Sequence, residues 1–561
     1  MQDRATPKHR LISLLRYRLT AFWQGFSGSG LLLGTLLFAA SLTPSLVPRP
    51  FGLQVALSGL ALTAGYGLGV FLRWLWAYAE LPVPRARLRR LFKGLLALVC
   101  LALAVTFVLQ ASDWQNSVRA LMALPPVEGT RPLTLGLLAI LIFVALLALG
   151  RLLLWSARQA VARLDRFLPR RIAVVLGTGA TVLVVWTLIN GLAVRGIFQT
   201  FDATFSQLDT LIEAEQSAPQ NRLLAGSAAS LIDWEGLGRQ GRRFVSGTLT
   251  TDRLATFSGA GAMQPIRVYA GLNSAETIEE RVELAMAELE RTGAFERSVL
   301  TVITPTGTGW VDPGAIDSLE YLHHGDVASV AVQYSYLPSW LSLLAQPDYG
   351  EATARALFHA VYSHWRELPA ETRPRLYLHG LSLGALNSER SADVWDLIGE
   401  PISGALWSGP PFRSRTWQTI TRQRQPGSPA WLPEFRDGSV VRFANQFRDA
   451  SRPDREWGPL RIVYLQYASD PIVFFEPESL YREPEWLRDP RGPDVSDDLR
   501  WYPVVTFLQL AGDIAAAEAA PVGYGHEYAT EHYIDAWRAI TDPPGWDDAR
   551  IEALKRRIGD L

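Results

Sequence analysis

A pentad of the form Gly-x-Ser-x-Gly lies in the second half of the chain, at Gly380-Leu381-Ser382-Leu383-Gly384. The apolar run Leu376–Leu378 precedes it, and Ala385-Leu386-Asn387, a typical helix start, follows. In a strand-turn-helix setting of this kind a serine is held exposed on a sharp turn, and the glycines let two backbones approach closely. Ser382 is therefore predicted to be a nucleophile. The alternative is a glycine-rich turn whose serine caps a helix.

A nucleophilic serine needs a base, and in this arrangement the base follows the serine in the chain. Of the eight histidines, only His526 and His532 come after Ser382. His526 lies in the glycine-bearing stretch Gly523–Glu527, which can turn an imidazole toward the serine. His532 lies in a stretch with helical spacing, residues 529–537, where a structural role is expected. We predict His526 as the base and keep His532 as the alternative.

The acid that orients the histidine is expected just past the end of a strand between the serine and the histidine. Asp470 fits this position, because it follows the β-prone run Ile462–Tyr467 and precedes Pro471, which ends a strand. Asp449 is the alternative, although its place beside Arg448 is typical of an exposed loop carboxylate. Asp470 is the predicted acid.

Attack of a serine on a carbonyl creates an oxyanion, which needs two backbone N–H donors. One comes from the residue after the nucleophile, Leu383, and the second from the loop that follows an earlier strand. Counting back two strands leads to Val299–Thr304, so the predicted donors of that loop are Thr306, Gly307 and Thr308. A phosphate site is the alternative for this glycine-rich loop, but the G-x-x-x-x-G-K pattern is absent and Asp312 would repel phosphate.

Apolar, β-prone runs alternate with helical stretches after Pro265, which predicts a mostly parallel sheet with crossover helices. The helical stretches include residues 275–291 and 352–368. The predicted strands are Ile266–Ala270, Val299–Thr304, Val327–Tyr334, Leu376–His379, Ala405–Trp407, Val440–Phe443 and Ile462–Tyr467.

Charge divides the chain sharply although the formal net charge is only -1. Up to Arg195 there are 21 basic and 5 acidic residues, and the remainder holds 54 - 21 = 33 basic and 55 - 5 = 50 acidic residues. The two parts therefore face different surroundings. The acidic surplus argues against nucleic-acid binding, which needs a cationic face.

Five apolar stretches in the basic part lack Asp, Glu, Lys and Arg and approach the roughly 20 residues of a membrane-spanning helix. They are Gly28–Pro48, Phe51–Leu72, Gly94–Ser112, Pro132–Gly150 and Ile172–Val194. Arginines concentrate before the first, between the second and third, and between the fourth and fifth, which predicts a cytoplasmic N-terminus. Five crossings then place everything after Arg195 outside.

The predicted organisation is a transmembrane helical domain at 1–195, a connecting region at 196–263 with some helix over 204–215, and a catalytic domain at 264–561. Ionisable groups are absent from the five stretches, so an anchor is favoured over a transporter. The single cysteine, Cys100, excludes an internal disulfide and a multi-cysteine zinc site. Neither a metal nor a cofactor is predicted.

The whole chain resembles a bacterial α/β-hydrolase family whose members carry an N-terminal multi-pass membrane domain. The resemblance rests on Thr43–Pro50 in the membrane part, and on Gly307–Pro313, Gln333–Trp340 and the pentad Gly380–Gly384 in the soluble part. It implies an α/β-hydrolase fold after an all-α transmembrane bundle, with Ser382, Asp470 and His526 as a catalytic triad. The family adds little about the substrate, because a fold does not name a function.

The sequence therefore favours a serine hydrolase in a bacterial inner membrane, with its catalytic domain on the periplasmic side. An esterase or lipase-like enzyme is expected, acting through an acyl-enzyme on an acyl ester or lipid-like substrate. Two alternatives stay open: an acyltransferase with the same triad, and a non-catalytic membrane assembly or lipid-binding protein. The partners predicted are the lipid bilayer and this substrate, and the oligomeric state is left open.

Overall fold

A computed structural model of the chain describes residues 26–82, 86–127, 131–187, 204–212, 217–258, 261–339, 341–342, 349–393, 399–451, 455–488 and 490–559. The chain divides into two compact units. The first comprises Met1–Val185, Phe475–Leu487 and Val495–Ala519, and the second comprises Trp186–Phe474, Arg488–Asp494 and Ala520–Leu561. This division differs from the predicted one, because part of the predicted catalytic domain belongs to the unit of the N-terminal helices.

The first unit begins with apolar helices numbered α1 to α5: Gly28–Ser41, Phe51–Tyr78, Ala86–Leu121, Pro132–Leu164 and Arg170–Thr187. Within the described residues, helices α2 to α5 are long and apolar enough to cross a membrane, which makes four candidate spans. Many of their side chains are apolar and exposed, such as Leu133 at 82% and Val175 at 70%. Water disfavours such a surface, whereas lipid tails accept it.

The prediction of five spans is wrong by one, because the stretch Gly28–Pro48 does not form a single helix. Helix α1 has 14 residues and is therefore about 21 Å long, short of the roughly 30 Å of a hydrocarbon core. The chain then runs without helix through residues 42–50, of which 42–47 are buried. Pro44 lies in this loop, and a proline at this place would disrupt the interior of a helix. Hydropathy alone does not distinguish a buried apolar loop from a span.

The second unit is built on a seven-stranded sheet. Its strands, β1 to β7, are Ile266–Ala270, Val299–Thr304, Val327–Val332, Arg375–Leu381, Gly404–Ser408, Val441–Ala444 and Arg461–Leu465. Their spatial order is β1-β3-β2-β4-β5-β7-β6, and every neighbouring pair is parallel. The predicted strands and the parallel sheet are confirmed. Their carboxyl ends lie at one edge, so the loops after β2, β4, β5 and β7 meet there.

Helices connect the strands and supply the second layer of this unit. Besides the helical residues 204–210, the helices after α5 are numbered α6 to α16 in chain order, and α14 belongs to the first unit. They are Gly238–Ser246, Thr251–Ser258, Ile278–Thr292, Pro313–Leu322, Tyr349–Glu367, Leu383–Glu389, Arg415–Arg422, Pro471–Phe474, Val505–Ala515, Thr530–Thr541 and Asp548–Gly559. Helices α8 and α10 correspond to the two predicted helical stretches. Thr277 and Glu280 form a capping box that begins α8, and Gly293 ends it in a left-handed conformation.

Residues 204–210 are helical and lie within the predicted 204–215, of which 213–215 fall outside the described residues. The core of the second unit gathers around the sheet and helix α15, where Tyr533 and Trp537 are fully buried. The indole of Trp537 donates to the carbonyl of Ala315 in α9 at 2.8 Å. Helix α15 is thereby joined to α9, and it begins directly after the loop that carries His526.

Helix α14 belongs to the first unit although it lies between the predicted acid and the predicted base in the chain. Its side chains Gln509 and Asp513 reach the loop after α1, where the amide of Gln509 donates to the carbonyl of Thr43 at 3.1 Å. The carboxylate of Asp513 accepts from the backbone N–H of Leu46 at 3.0 Å. The stretch 43–50, singled out in the sequence, thus forms a loop that helix α14 contacts from the second half of the chain.

Candidate active site

Ser382 lies at a sharp turn between β4 and α11. Its φ of 56° and ψ of -124° place it in a strained conformation that few residues other than glycine adopt. A Cβ on Gly380 would lie 2.5 Å from the carbonyl carbon of Gly384, and one on Gly384 would collide with the carbonyl of Thr304. Only glycines fit on either side of the serine, so the turn is the strand-turn-helix elbow that the pentad predicts.

Asp470 follows β7 and is completely buried. Its Oδ1 accepts from the backbone N–H groups of Ile472 at 2.8 Å and Val473 at 3.4 Å. Its Oδ2 accepts a hydrogen bond at 2.7 Å from Nδ1 of His526. The short helix α13 begins right after the aspartate, and its first N–H groups thus fix the carboxylate plane. The structure brings these two predicted residues together across 56 positions of sequence.

His526 is held in a tight loop directly after two glycines with positive φ, Gly523 at 91° and Gly525 at 58°. The N–H of Gly523 donates to the carbonyl of Glu527 at 2.7 Å, which closes the loop. The N–H of Gly525 donates to the hydroxyl of Ser469 at 2.9 Å. Because Ser469 immediately precedes Asp470, one hydrogen bond ties the acid segment to the base segment.

The end of β5 connects His526 with Ser382. The N–H of Ser382 donates to the carbonyl of Ser408, the last residue of β5, at 2.9 Å. The next residue, Gly409, has a φ of 51°, and a Cβ there would lie 2.6 Å from Cε1 of His526. The imidazole therefore lies directly against the strand end that holds the serine backbone. A side chain at position 409 would push the ring away.

The two alternatives from the sequence lie elsewhere. His532 is on helix α15, where its Nδ1 lies 2.6 Å from the hydroxyl of Tyr467. Burial, and then the charge of Lys555, lower the pKa of His532 to about 4, so it stays neutral at physiological pH. Asp449 is exposed, and its Oδ1 accepts from the N–H and the hydroxyl of Ser451 at 3.1 and 2.6 Å. That is a local turn in a loop.

The loop after β2 lies beside the elbow, because Thr304 is paired with Gly380 across the parallel strands. The N–H of Thr306 donates to the carbonyl of Trp310 at 2.9 Å, and that of Gly307 to the hydroxyl of Ser339 at 3.2 Å. Both amides must therefore exchange these bonds before they can bind a substrate oxygen. The Thr308 hydroxyl lies 3.2 Å from that of Thr306.

The Leu383 amide is placed differently from those of the loop. As the first residue of α11, Leu383 has an N–H with no carbonyl one turn back within its own helix. Among the predicted oxyanion donors, Leu383 is the one whose N–H can bind a ligand because it lies at the start of a helix.

Sequence reasoning missed three polar side chains that support the pair of Asp470 and His526. The carboxylate of Asp494 accepts from the N–H of Ser469 at 2.9 Å, and the hydroxyl of Tyr528 donates to Oδ2 of Asp470 at 2.7 Å. Ser469 itself joins the two loops. Nothing in the types or spacing of Ser469 and Asp494 marks them, whereas the position of Tyr528, two residues after His526, was a usable signal.

Comparison with known protein families agrees with this fold. A model described as "Alpha/beta-hydrolase family" matches residues 266–554, and one described as "Alpha/beta-hydrolase family N-terminus" matches residues 42–248. The chain belongs to this alpha/beta-hydrolase family. The α/β-hydrolase family predicted from the sequence is thereby confirmed, and the N-terminal match covers helices α2 to α5 as well as the loop 43–50 that helix α14 contacts.

No curated protein matches this family member. Among solved structures, Trichoderma reesei cutinase in complex with a phosphonate inhibitor is similar at 12% identity, over 42% of this chain and 87% of that one, with a TM-score of 0.20. A likeness at that score carries no argument about the substrate of this protein.

Proposed function

We propose that the protein is a membrane-anchored serine hydrolase that cleaves an acyl ester through Ser382, His526 and Asp470. The observation that carries the proposal is the 2.7 Å contact between Nδ1 of His526 and Oδ2 of Asp470, made beside the strand end that holds Ser382. An elbow serine, an imidazole and a buried carboxylate in this order have the arrangement of a nucleophile, a general base and an orienting acid.

In the proposed reaction, Asp470 keeps the proton of His526 on Nδ1, so that Nε2 accepts the proton of the Ser382 hydroxyl. The serine oxygen attacks the ester carbonyl, and the Leu383 amide donates to the oxyanion that forms. His526 then gives its proton to the departing alcohol, which leaves an acyl group on Ser382. Water, deprotonated by His526 in the same way, releases the acid and restores the serine.

The loops between the four candidate spans support an extracytoplasmic side of the membrane for the second unit. Arg85, Arg87, Arg89 and Arg90 lie between α2 and α3 or open α3, and four more arginines lie around the turn between α4 and α5. Positive loops stay cytoplasmic, so α5 leads outward and the catalytic unit lies on the extracytoplasmic side, in the periplasm of a bacterium with two membranes. The cytoplasmic N-terminus predicted from five spans depends on α1 crossing, but the side of the catalytic unit does not.

The test is fluorophosphonate labelling of the full-length protein in detergent, with His526→Gln and His532→Gln as a matched pair of variants. We expect labelling of Ser382, a loss of at least about 1,000-fold in labelling rate in His526→Gln, and little change in His532→Gln. Labelling of wild type that persists in Ser382→Ala would overturn the nucleophile, and equal loss in both histidine variants would overturn the base.

A series of p-nitrophenyl esters from short to long acyl chains then defines the substrate class. Turnover that rises with chain length identifies a lipase-like enzyme, and turnover limited to short chains identifies an esterase. Product formation with and without an added alcohol separates hydrolysis from acyl transfer. A folded wild-type protein that neither labels nor hydrolyses any ester would leave only the non-catalytic membrane protein.

A further inference from the structure

The carboxylate of Asp470 is saturated with donors, and one of them has no place in the mechanism above. Oδ1 takes two backbone N–H groups, whereas Oδ2 takes two side chains, His526 and Tyr528, each at 2.7 Å. The tyrosine hydroxyl thus shares with the imidazole the oxygen that carries the negative charge. A shared acceptor oxygen gives less of its charge to each donor.

We propose that Tyr528 is a positioning residue that sets how strongly Asp470 attracts the proton of His526 during the reaction. The inference rests on the proposed function and assigns the control of that site's acid–base strength to one hydroxyl. By drawing charge from Oδ2, Tyr528 holds the basicity of the imidazole down. Because its hydroxyl points at Oδ2, Tyr528 also prevents the carboxylate from rotating away from Nδ1.

Packing fixes the direction of the Tyr528 hydroxyl. The side chain is 6% exposed, and its ring stacks on that of Tyr467 with centroids 4.5 Å apart. The Tyr467 hydroxyl in turn accepts from the backbone N–H of Ala529 at 3.0 Å. The edge of Tyr528 meets the ring of His526, with centroids 5.8 Å apart and an angle of 80° between the planes. The hydroxyl is therefore held in place from both sides.

Tyr528 remains a donor throughout the range in which the enzyme is expected to work. Burial, and then the negative charge of Asp470, raise the pKa of Tyr528 well above its ordinary value. The phenol therefore stays protonated at neutral and mildly alkaline pH. In neutral form it has one proton to donate, and Asp470 is where that proton points.

Other titratable groups surround this pair: Tyr467, Tyr533, His532, Asp312, Asp494, Glu527 and Glu531. Burial raises the pKa of both tyrosines well above their ordinary range and lowers that of His532 to about 4, so these three stay neutral near pH 7. Burial raises the pKa of Asp312 to about 7, so Asp312 titrates in the assay range. Its titration is common to wild type and variants, and a difference between them does not come from it.

The test compares the pH dependence of fluorophosphonate labelling and of p-nitrophenyl ester turnover in wild type, Tyr528→Phe and Tyr464→Phe. Tyr464 is a matched control, because its buried hydroxyl also donates to a buried carboxylate, that of Glu389 at 3.0 Å. Loss of the Tyr528 hydroxyl leaves more charge on Oδ2, which stabilises the imidazolium. In Tyr528→Phe we expect the acidic limb of the pH–rate profile to move up by about 0.5–1 pH unit. We also expect kcat to fall about tenfold, with KM little changed. Tyr464→Phe should keep the wild-type limb.

A loss of activity that is equal at every pH in Tyr528→Phe would show that the tyrosine only supports packing, and the inference would fail. Replacement of Tyr528 by 3-fluorotyrosine gives a second test that keeps the shape of the site. The fluorinated phenol is the stronger donor, so the acidic limb should move to lower pH, and an upward or absent shift would overturn the inference. Failure of the proposed function is distinguishable, because wild type itself would then not label at Ser382.

Discussion

Two completely buried aspartates, one in each unit, show how differently the same side chain is used. Asp470 in the second unit has hydrogen-bond partners on both oxygens, and all four donors lie within 58 positions of it. Asp513 in the first unit accepts through Oδ2 from the hydroxyl of Ser45 and the N–H of Leu46. Its Oδ1 has no hydrogen-bond partner among the residues that the structure describes.

The difference lies in what each carboxylate joins. Asp470 joins two neighbouring loops at one sheet edge, and one of its donors is the imidazole that we propose as the general base. Asp513 joins segments 467 positions apart in the chain, and none of its partners is suited to proton transfer. Arg49 supplies an opposite charge near it, but the guanidinium donates to the carbonyls of Ser41 and Thr43 at 3.1 and 2.5 Å. We therefore expect Asp470 to govern rate and Asp513 to govern stability.

The largest effect is expected from Asp470→Asn. The amide keeps the size of the side chain but presents a donor or a neutral acceptor to Nδ1, so the imidazole loses its tautomer and the stabilisation of its protonated form. Ester turnover should fall by about 1,000- to 10,000-fold, with a thermal midpoint within a few degrees of wild type. The matched control is Asp449→Asn, at the exposed alternative acid, which should keep full turnover. Equal turnover in both variants would contradict the role of Asp470.

Asp513→Ala should produce the opposite pattern. Loss of the carboxylate leaves the hydroxyl of Ser45 and the N–H of Leu46 without their buried acceptor, which costs about 1–3 kcal/mol of stability for each donor. The thermal midpoint in detergent should fall strongly, while turnover per folded molecule at low temperature stays close to wild type. Asp498→Ala, at an exposed carboxylate of the same chain segment, is the control and should unfold like wild type. Normal unfolding with lost turnover in Asp513→Ala would contradict the proposal that Asp470 governs rate and Asp513 governs stability.

The sequence predicts Asp470 and Asp513 with unequal success, for a physical reason. Asp470 follows a β-prone run and precedes a proline, so the rules of parallel sheets are enough to propose it. Asp513 lies in the 11-residue helix α14, whose apolar composition is equally typical of a core helix in either unit. Pattern alone does not reveal what a buried face packs against. The same limit explains the extra predicted span at Gly28–Pro48 and the missed hydroxyl of Tyr528.

Gly409→Ala tests whether the site around Asp470 depends on exact placement of the imidazole. The new Cβ would lie 2.6 Å from Cε1 of His526, so the ring must move, and a shift of this size costs about 100-fold in turnover. Gly427→Ala is the matched control, because Gly427 also has a positive φ, 92°, but no atom lies within 4 Å of its added Cβ. Both variants should lose similar stability from backbone strain, and only Gly409→Ala should lose turnover. Retained turnover in Gly409→Ala would mean that the ring tolerates displacement.

Ser45→Ala measures how much of the stability assigned to Asp513 comes from one hydroxyl, and it is the smallest effect we expect. The variant removes the side-chain donor from a fully buried carboxylate that keeps its backbone N–H donors, at a cost of about 1–2 kcal/mol. The matched control is Ser451→Ala, which removes the same kind of hydroxyl–carboxylate bond, to Asp449, at a solvent-exposed site. The thermal midpoint of this control should not change. A double-mutant cycle of Ser45 with Asp513 gives the coupling directly. Zero coupling would assign the attachment of α14 to Gln509 and its bond to Thr43 instead.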